Sequence, residues 1–143
     1  MAKLTLSKSQ KIIREALAKG KDLGLKPLTV AVLDAGGHLV ALQREDGSSV
    51  LRPEIAQGKA FGAIAVGMGS RWLNAQAAGR PHFLEGLSNV SGGRIVPVPG
   101  GVLIKDAKGQ ILGAVGITGD TSANDEVCAM AGIEAANYTA DPG

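Results

Sequence analysis

Residues 113–126 read GAVGITGDTSANDE, a strand-like run that breaks into a polar turn and the start of a helix. Glycines at 113, 116 and 119 punctuate this run. A dinucleotide-binding fingerprint has the spacing G-x-G-x-x-G and connects a strand to a helix within a parallel βαβ unit. Here the spacing is G-x-x-G-x-x-G, and two of the glycines fall inside the predicted strand. The stretch therefore predicts close packing of a strand against helices rather than a phosphate-binding loop.

The hydrophobic patterns on both sides of this stretch predict an antiparallel sheet with helices on its faces. Apolar runs at 28–34 and 38–44 flank an Ala-Gly-Gly turn, which indicates a β-hairpin. The other predicted elements are helices over about 7–24, 51–68, 72–78 and 122–138, and strands over 94–98, 101–106 and 111–118, with 79–90 irregular or weakly helical. Thr5 or Ser7 can cap the first helix and Ser70 the third. A hairpin and three consecutive strands require antiparallel pairing.

Composition limits the class of protein. The 143 residues suit one domain, 1–143, and carry 15 Lys+Arg against 13 Asp+Glu, so the net charge is only +2. This weak, dispersed charge and the scarcity of aromatic residues argue against a nucleic-acid partner. The first residues lack the apolar block of a signal peptide, and no run reaches the ~20 apolar residues that span a membrane. With a single cysteine, Cys128, the sequence predicts a cytoplasmic protein without a membrane partner.

Few residues suggest chemistry by themselves. His38, at the edge of a predicted strand, is a candidate metal or haem ligand or a general base, although such a histidine is more often an ordinary polar residue. His82 lies in a loop without defined partners, and Cys128 lies among apolar residues of a helix, where a buried thiol is expected. Since the two histidines and the cysteine are far apart in the chain, no zinc site is predicted.

Three further groups of residues could meet a ligand. Lys59 could reach an anion from a helix of small residues, or extend to solvent, which is slightly favoured. Gly100 and Gly101 follow two prolines and could present backbone N–H groups. Asp125 and Glu126 lie at a predicted helix N-terminus, where one acidic residue complements the dipole and the second is left for a ligand or subunit contact.

Four stretches together resemble the GlcG/HbpS family, which also includes the C-terminal domain of PduO proteins. They are VLDAGGHLVALQREDG (32–47), IAQGKAFGA (55–63), PGGVLIKDAKGQILGAVGITG (99–119) and NDEVCAMAGIEA (124–135). The resemblance implies a profilin-like, three-layer α/β/α fold with a five-stranded antiparallel sheet. It also implies a homo-oligomer. Some members bind haem or degrade it, and others are encoded in catabolic gene neighbourhoods.

The resemblance and the residues leave two functions open. The first is a haem-binding, or haem-degrading, accessory protein with His38 as the candidate iron ligand and no other metal site. The second is an enzyme acting on a small carboxylate or oxygenated metabolite, with Lys59, Asp125 and Glu126 as candidate catalytic residues. The candidate cofactor-binding residues that the family motifs place on this sequence are His38, Arg44, Pro99, Gly100, Gly101 and Thr118.

The same motifs lead to an expected pocket and assembly. Residues 118–126 should form one wall of the pocket, next to 99–101 and to the hairpin that carries His38. Helix faces with almost no side chain, at 56–67 and 131–135, predict a dimer-based homo-oligomer, such as a tetramer or octamer, with the pocket near a subunit boundary.

Overall fold

The computed structural model describes residues 3–143; Met1 and Ala2, with which the predicted domain begins, lie outside the described residues. The elements, in chain order, are α1 (Leu6–Asp22), β1 (Thr29–Asp34), β2 (Leu39–Arg44), α2 (Arg52–Val66), α3 (Ser70–Gly79), α4 (Pro81–Val90), β3 (Gly101–Lys105), β4 (Ile111–Thr118), α5 (Ser122–Ala135) and β5 (Thr139–Asp141).

The five strands of the described residues form one antiparallel sheet in the order β2-β1-β4-β3-β5. Helices α1 and α5 pack together on one face of this sheet, and α2 packs on the other. The predicted three-layer α/β/α fold is therefore confirmed. The central strand β4 is the strand of the 113–126 stretch, and its residues from 112 to 118 are all buried.

The two faces of the sheet have cores of different thickness. The larger core, between the sheet and α1 and α5, is built from long apolar side chains such as Ile12, Val32 and Ile133. On the other face α2 lies almost in contact with the sheet backbone. A Cβ atom on Gly116 would collide with the carbonyl of Ala56, so this glycine lets strand and helix approach. The glycines of β4 thus serve packing, as the sequence predicted.

The fifth strand is not the one that the sequence predicted. Residues 94–98 form no strand; they cross the outer face of α2, where the Val96 N–H donates to the Gly58 carbonyl at 3.2 Å. Pro97 and Pro99 have no N–H to donate to a ladder, which explains why this apolar run pairs with no strand. The fifth strand is instead β5, which pairs with β3 after α5 ends at Ala135.

The helix ends give one confirmed cap and one correction. Thr5 caps α1, because its hydroxyl accepts from the Lys8 N–H at 3.1 Å. Ser70 caps no helix: its hydroxyl donates to the Val98 carbonyl at 2.7 Å and accepts from the Gly101 N–H at 2.8 Å. The 81–90 stretch, which was difficult to assign from sequence, is the helix α4, with Pro81 in its first turn.

Candidate functional site

A cleft of about 420 Å³ opens between the outer face of α2, the crossing segment 93–96 and the β1–β2 hairpin. Its volume lies within the range of small-molecule sites. The side chains that give it its character are four apolar ones and two of opposite charge: Leu33, Ile55, Phe61, Val96, Glu54 and Arg94. The cleft can therefore take a largely apolar ligand with a polar group.

Two glycines of α2 let neighbouring elements lie close to the outer face of this helix, and one of them, Gly58, lines the cleft. A Cβ atom on Gly58 would stand 2.6 Å from Val96 Cγ2 and 2.9 Å from the Arg94 carbonyl oxygen. At Gly62 the same atom would lie 2.9 Å from Leu73 Cδ1. The Arg94 carbonyl belongs to the backbone and cannot turn aside, so glycine at position 58 lets the crossing segment rest directly on the helix.

One edge of the cleft is formed by Phe61 and the residues that hold its ring. The ring packs against Gly37 in the hairpin turn, where an added Cβ would be 3.2 Å away. The Arg94 guanidinium carbon lies 3.9 Å from the ring centroid, a cation–π contact. Gly37 has φ of +82°, which favours glycine at this turn.

His38 follows Gly37 in the hairpin, and its ring lies against Gly36 and Asp34. Its Nδ1 lies 3.3 Å from an Asp34 carboxylate oxygen, which also accepts from the backbone N–H groups of Gly36 and His38. The His38 N–H and the other donors hold the pKa of Asp34 below its usual range. Because Nδ1 faces the Asp34 carboxylate, Nε2 is the imidazole nitrogen left to bind a ligand. The His38 side chain is 82% exposed.

The other charged candidates lie in a separate, buried cluster. Lys59 Nζ lies 3.1 Å from Asp125 Oδ2 and donates to the Ile117 carbonyl at 2.9 Å. The two side chains are only 3% and 1% exposed, so the favoured extension of Lys59 to solvent is wrong. Burial lowers the pKa of Lys59 and raises the pKa of Asp125.

The remaining candidates near this cluster are occupied by protein contacts. Glu126 accepts a bidentate pair of hydrogen bonds from Arg71 at 2.9–3.1 Å. Thr118 accepts from Arg52 at 2.6 Å. Pro99 and Gly100 are buried, and the backbone groups of Gly100 and Gly101 bond to Ile117 and Ser70. Arg44 donates to the Ser48 carbonyl at 2.6 Å.

The structure places these two groups at opposite ends of the sheet. Asp34, beside the hairpin, pairs with Gly113, whereas Thr29 pairs with Thr118. Five residues of extended strand separate the two ends of this pairing, about 17 Å. The expected pocket, which joined the His38 hairpin to residues 99–101 and 118–126, is therefore not formed within one chain.

Sequence reasoning missed the side chains that form the cleft, above all Phe61, Val96 and Arg94. A usable signal was present in α2. Its alanines at 56, 60 and 63 face the sheet, while Gly58 and Gly62 lie on the opposite face. Small residues on two opposite faces of one helix indicate that other elements pack on both faces. Here the sheet packs on one face and the crossing segment packs on the other.

These features define an α/β/α domain with an antiparallel sheet and a ligand-sized apolar cleft beside an exposed histidine. The chain belongs to the HbpS-like family, because the family model described as "Haem degrading protein HbpS-like" matches residues 4–134. The resemblance inferred from the sequence is thus confirmed.

Several relatives are similar over nearly the whole chain. An uncharacterised 15.0 kDa protein in the dhaT-dhaS intergenic region of Citrobacter freundii is 28% identical over 134 residues, 94% of this chain and 92% of that protein. The crystal structure of a PduOC:haem complex is 25% identical with a TM-score of 0.85, over 96% of this chain and 97% of that one. The crystal structure of HbpS is 27% identical with a TM-score of 0.81, over 94% and 90%.

No helix within 3–143 has the length and apolar character needed to cross a membrane. The same residues contain no group of three or more His, Cys, Asp or Glu side chains placed to hold a metal ion.

Proposed function

We propose that this protein binds haem as an accessory protein, in the cleft between α2 and the crossing segment. The observation that carries this proposal is the apolar cleft of about 420 Å³, whose lining includes Gly37 of the hairpin turn that also carries His38. Relatives of similar fold support the choice of ligand, since one was crystallised as a haem complex.

The residues present fit this group chemically. Leu33, Ile55 and Val96 offer apolar walls to a macrocycle, and the apolar ring of Phe61 closes one edge of the cleft. His38 would hold the iron through Nε2, and the Asp34 carboxylate keeps the ring oriented for this through Nδ1. When bound, haem supplies a redox-active iron, and the protein's part is to bind it, orient it and limit the access of water.

The alternative, an enzyme acting on a small carboxylate, gains no support from the cleft. Its candidate catalytic residues do not line this space: Lys59 and Asp125 form a buried ion pair, and Glu126 is paired with the half-exposed Arg71. Their contacts point to a structural role at the other end of the sheet.

A haemin titration followed in the Soret region tests the proposal. The wild-type protein should give a saturable Soret shift, and His38→Ala should change the position of that band and weaken binding. His82→Ala is the matched control, because His82 is exposed on α4, away from the cleft. The absence of any shift in the wild type would reject haem binding, and identical spectra for His38→Ala and wild type would reject His38 as the ligand.

We further propose a homo-oligomer built from dimers, located in the reducing cytoplasm, where the buried free thiol of Cys128 is stable. The small-residue face of α2 packs on its own sheet, so Ala63→Glu would test folding rather than assembly. Support for assembly comes instead from Val50 and Leu51, which are adjacent, apolar and 84% and 64% exposed.

Light scattering of the wild type and of a Val50→Glu, Leu51→Glu variant tests the assembly. We expect the wild type at a multiple of 14.5 kDa and the variant smaller. Val90→Glu, at a side chain 85% exposed on α4, controls for added charge. A wild-type monomer at micromolar concentration would contradict this proposal.

A further inference from the structure

The cleft contains two charged side chains of opposite sign, which lie at different positions along helix α2. Glu54 lies in the first turn of α2, whereas Arg94 lies over Phe61, seven residues further along the same helix. Seven residues span about 10 Å of helix. The cleft is therefore positive at its Phe61 end and negative at its Glu54 end.

Arg94 is held in place but retains hydrogen-bonding capacity. Its guanidinium stacks on Phe61, and its Nε donates to the Ser91 carbonyl at 3.0 Å. Within residues 3–143 no carboxylate forms a salt bridge with it, and its terminal nitrogens have no hydrogen-bond partner. A planar guanidinium fixed by stacking loses little entropy when it binds a carboxylate through two parallel hydrogen bonds.

We propose that Arg94 is the residue by which the cleft recognises a carboxylate of its ligand, with Phe61 as the platform that orients the guanidinium. The inference rests on the proposed function and specifies it: the ligand is apolar and planar, it carries a carboxylate, and that carboxylate lies at the Phe61 end. The negative charge of Glu54 disfavours the reversed orientation.

A second stacked arginine of the same chain distinguishes recognition from simple packing. Arg80 lies 4.3 Å over the Phe83 ring on α3–α4, is exposed as Arg94 is, and does not line the cleft. One of its terminal nitrogens, Nη2, donates to Gln76, as does Nε. Methionine at either position keeps an apolar chain over the ring and removes the charge.

The experiment compares two probes, haemin and haemin dimethyl ester, which differ only in whether their carboxylates are free. Absorbance titrations give the Kd of both for wild type, Arg94→Met, Arg94→Lys, Arg80→Met and Glu54→Gln. For haemin, Arg94→Met should weaken binding about tenfold, as expected for the loss of a charge-assisted hydrogen bond at an exposed site. Arg94→Lys should lose less, and the diester should bind wild type and Arg94→Met equally.

Two further results are expected. Arg80→Met should leave both affinities unchanged, and Glu54→Gln should leave haemin binding equal or tighter. Haemin affinity should fall with added salt in the wild type and much less in Arg94→Met, because screening acts on the charge pair.

Several outcomes would overturn the inference. If Arg94→Met binds haemin as tightly as the wild type, Arg94 has no role, although the haem proposal stands. If the variant loses haemin and the diester equally, Arg94 only packs against Phe61. If the wild type binds neither probe, the haem proposal fails and this inference fails with it.

Discussion

Removing one charge of the buried Lys59–Asp125 pair should destabilise the protein more than removing both. The ammonium and carboxylate lie 3.1 Å apart and are nearly inaccessible to solvent. In Lys59→Met the carboxylate stays buried with one remaining donor, the Asp120 N–H at 3.0 Å. In Asp125→Asn the ammonium stays buried and keeps only the Ile117 carbonyl.

The magnitude follows from the cost of a buried, unpaired charge. Each single variant should lose about 3–5 kcal/mol of the free energy of unfolding. In the double variant Lys59→Met, Asp125→Asn no charge is left uncompensated, and the Asn oxygen can still accept from Asp120. The main loss is then the donor to the Ile117 carbonyl, so the double variant should lose only about 1–2 kcal/mol.

The two single variants should also respond to pH in opposite directions. Burial already raises the pKa of Asp125, and without Lys59 it rises further. Folded Lys59→Met then binds a proton that the unfolded chain has released, so its stability increases as pH falls towards the ordinary carboxyl pKa of about 4. In Asp125→Asn the pKa of Lys59, lowered by burial, falls further, so stability increases as pH rises towards about 9.

Urea denaturation followed by far-UV circular dichroism measures these values for all four proteins at each pH. Losses below about 1 kcal/mol of unfolding free energy in both single variants would refute the reasoning, because leaving a buried charge without its partner should cost more than this. Equal pH slopes in the two variants would refute it as well, since the remaining charges have opposite sign.

Three smaller predictions concern packing, capping and thiol reactivity. Gly116→Ala should lose about 3 kcal/mol or more of unfolding free energy, because the new methyl group meets the backbone carbonyl of Ala56. Gly86→Ala, in open space on α4, should gain about 0.5–1 kcal/mol in the same urea titrations. Thr5→Ala removes the α1 cap and should lower the unfolding free energy by about 1 kcal/mol; an unchanged urea midpoint would contradict the cap. Burial raises the pKa of Cys128 to about 11, so Ellman's reagent at pH near 8 should react with it only after unfolding, and fast labelling of the native protein would show an accessible thiol.

The sequence was sufficient for most of the fold because the fold depends on local patterns. The hairpin at 28–44 could be predicted from two apolar runs around a glycine turn. The close packing of the strand at Gly113 and Gly116 could be predicted from the spacing of these glycines. The segment 94–98 misled because its apolar residues are typical of a strand, while its actual partner, the carbonyl of Gly58, lies 38 residues before Val96 in the chain. No local pattern reports such a contact.

The candidate site was predictable only in part for a related reason. Lys59 was interpreted from the small-residue helix that carries it, but its partner Asp125 comes from another helix on the far side of the sheet. The cleft depends on the contact between Arg94 and Phe61. This contact could be predicted only if the path of the crossing segment were known. Long-range contacts of this kind determine which charges are buried, and the sequence does not display them.

The crossing segment also joins two parts of the molecule that should differ greatly in local stability. Helix α2 is enclosed between the sheet and this segment, so its amides should be among the last to exchange with deuterium. Among the described elements, α4 contacts only α3 and contains no fully buried residue, so its amides should exchange early. The wall of the cleft formed by α2 should therefore be rigid. The opposite wall carries Arg94, only four residues after the end of α4, so the opening can widen while α2 stays fixed.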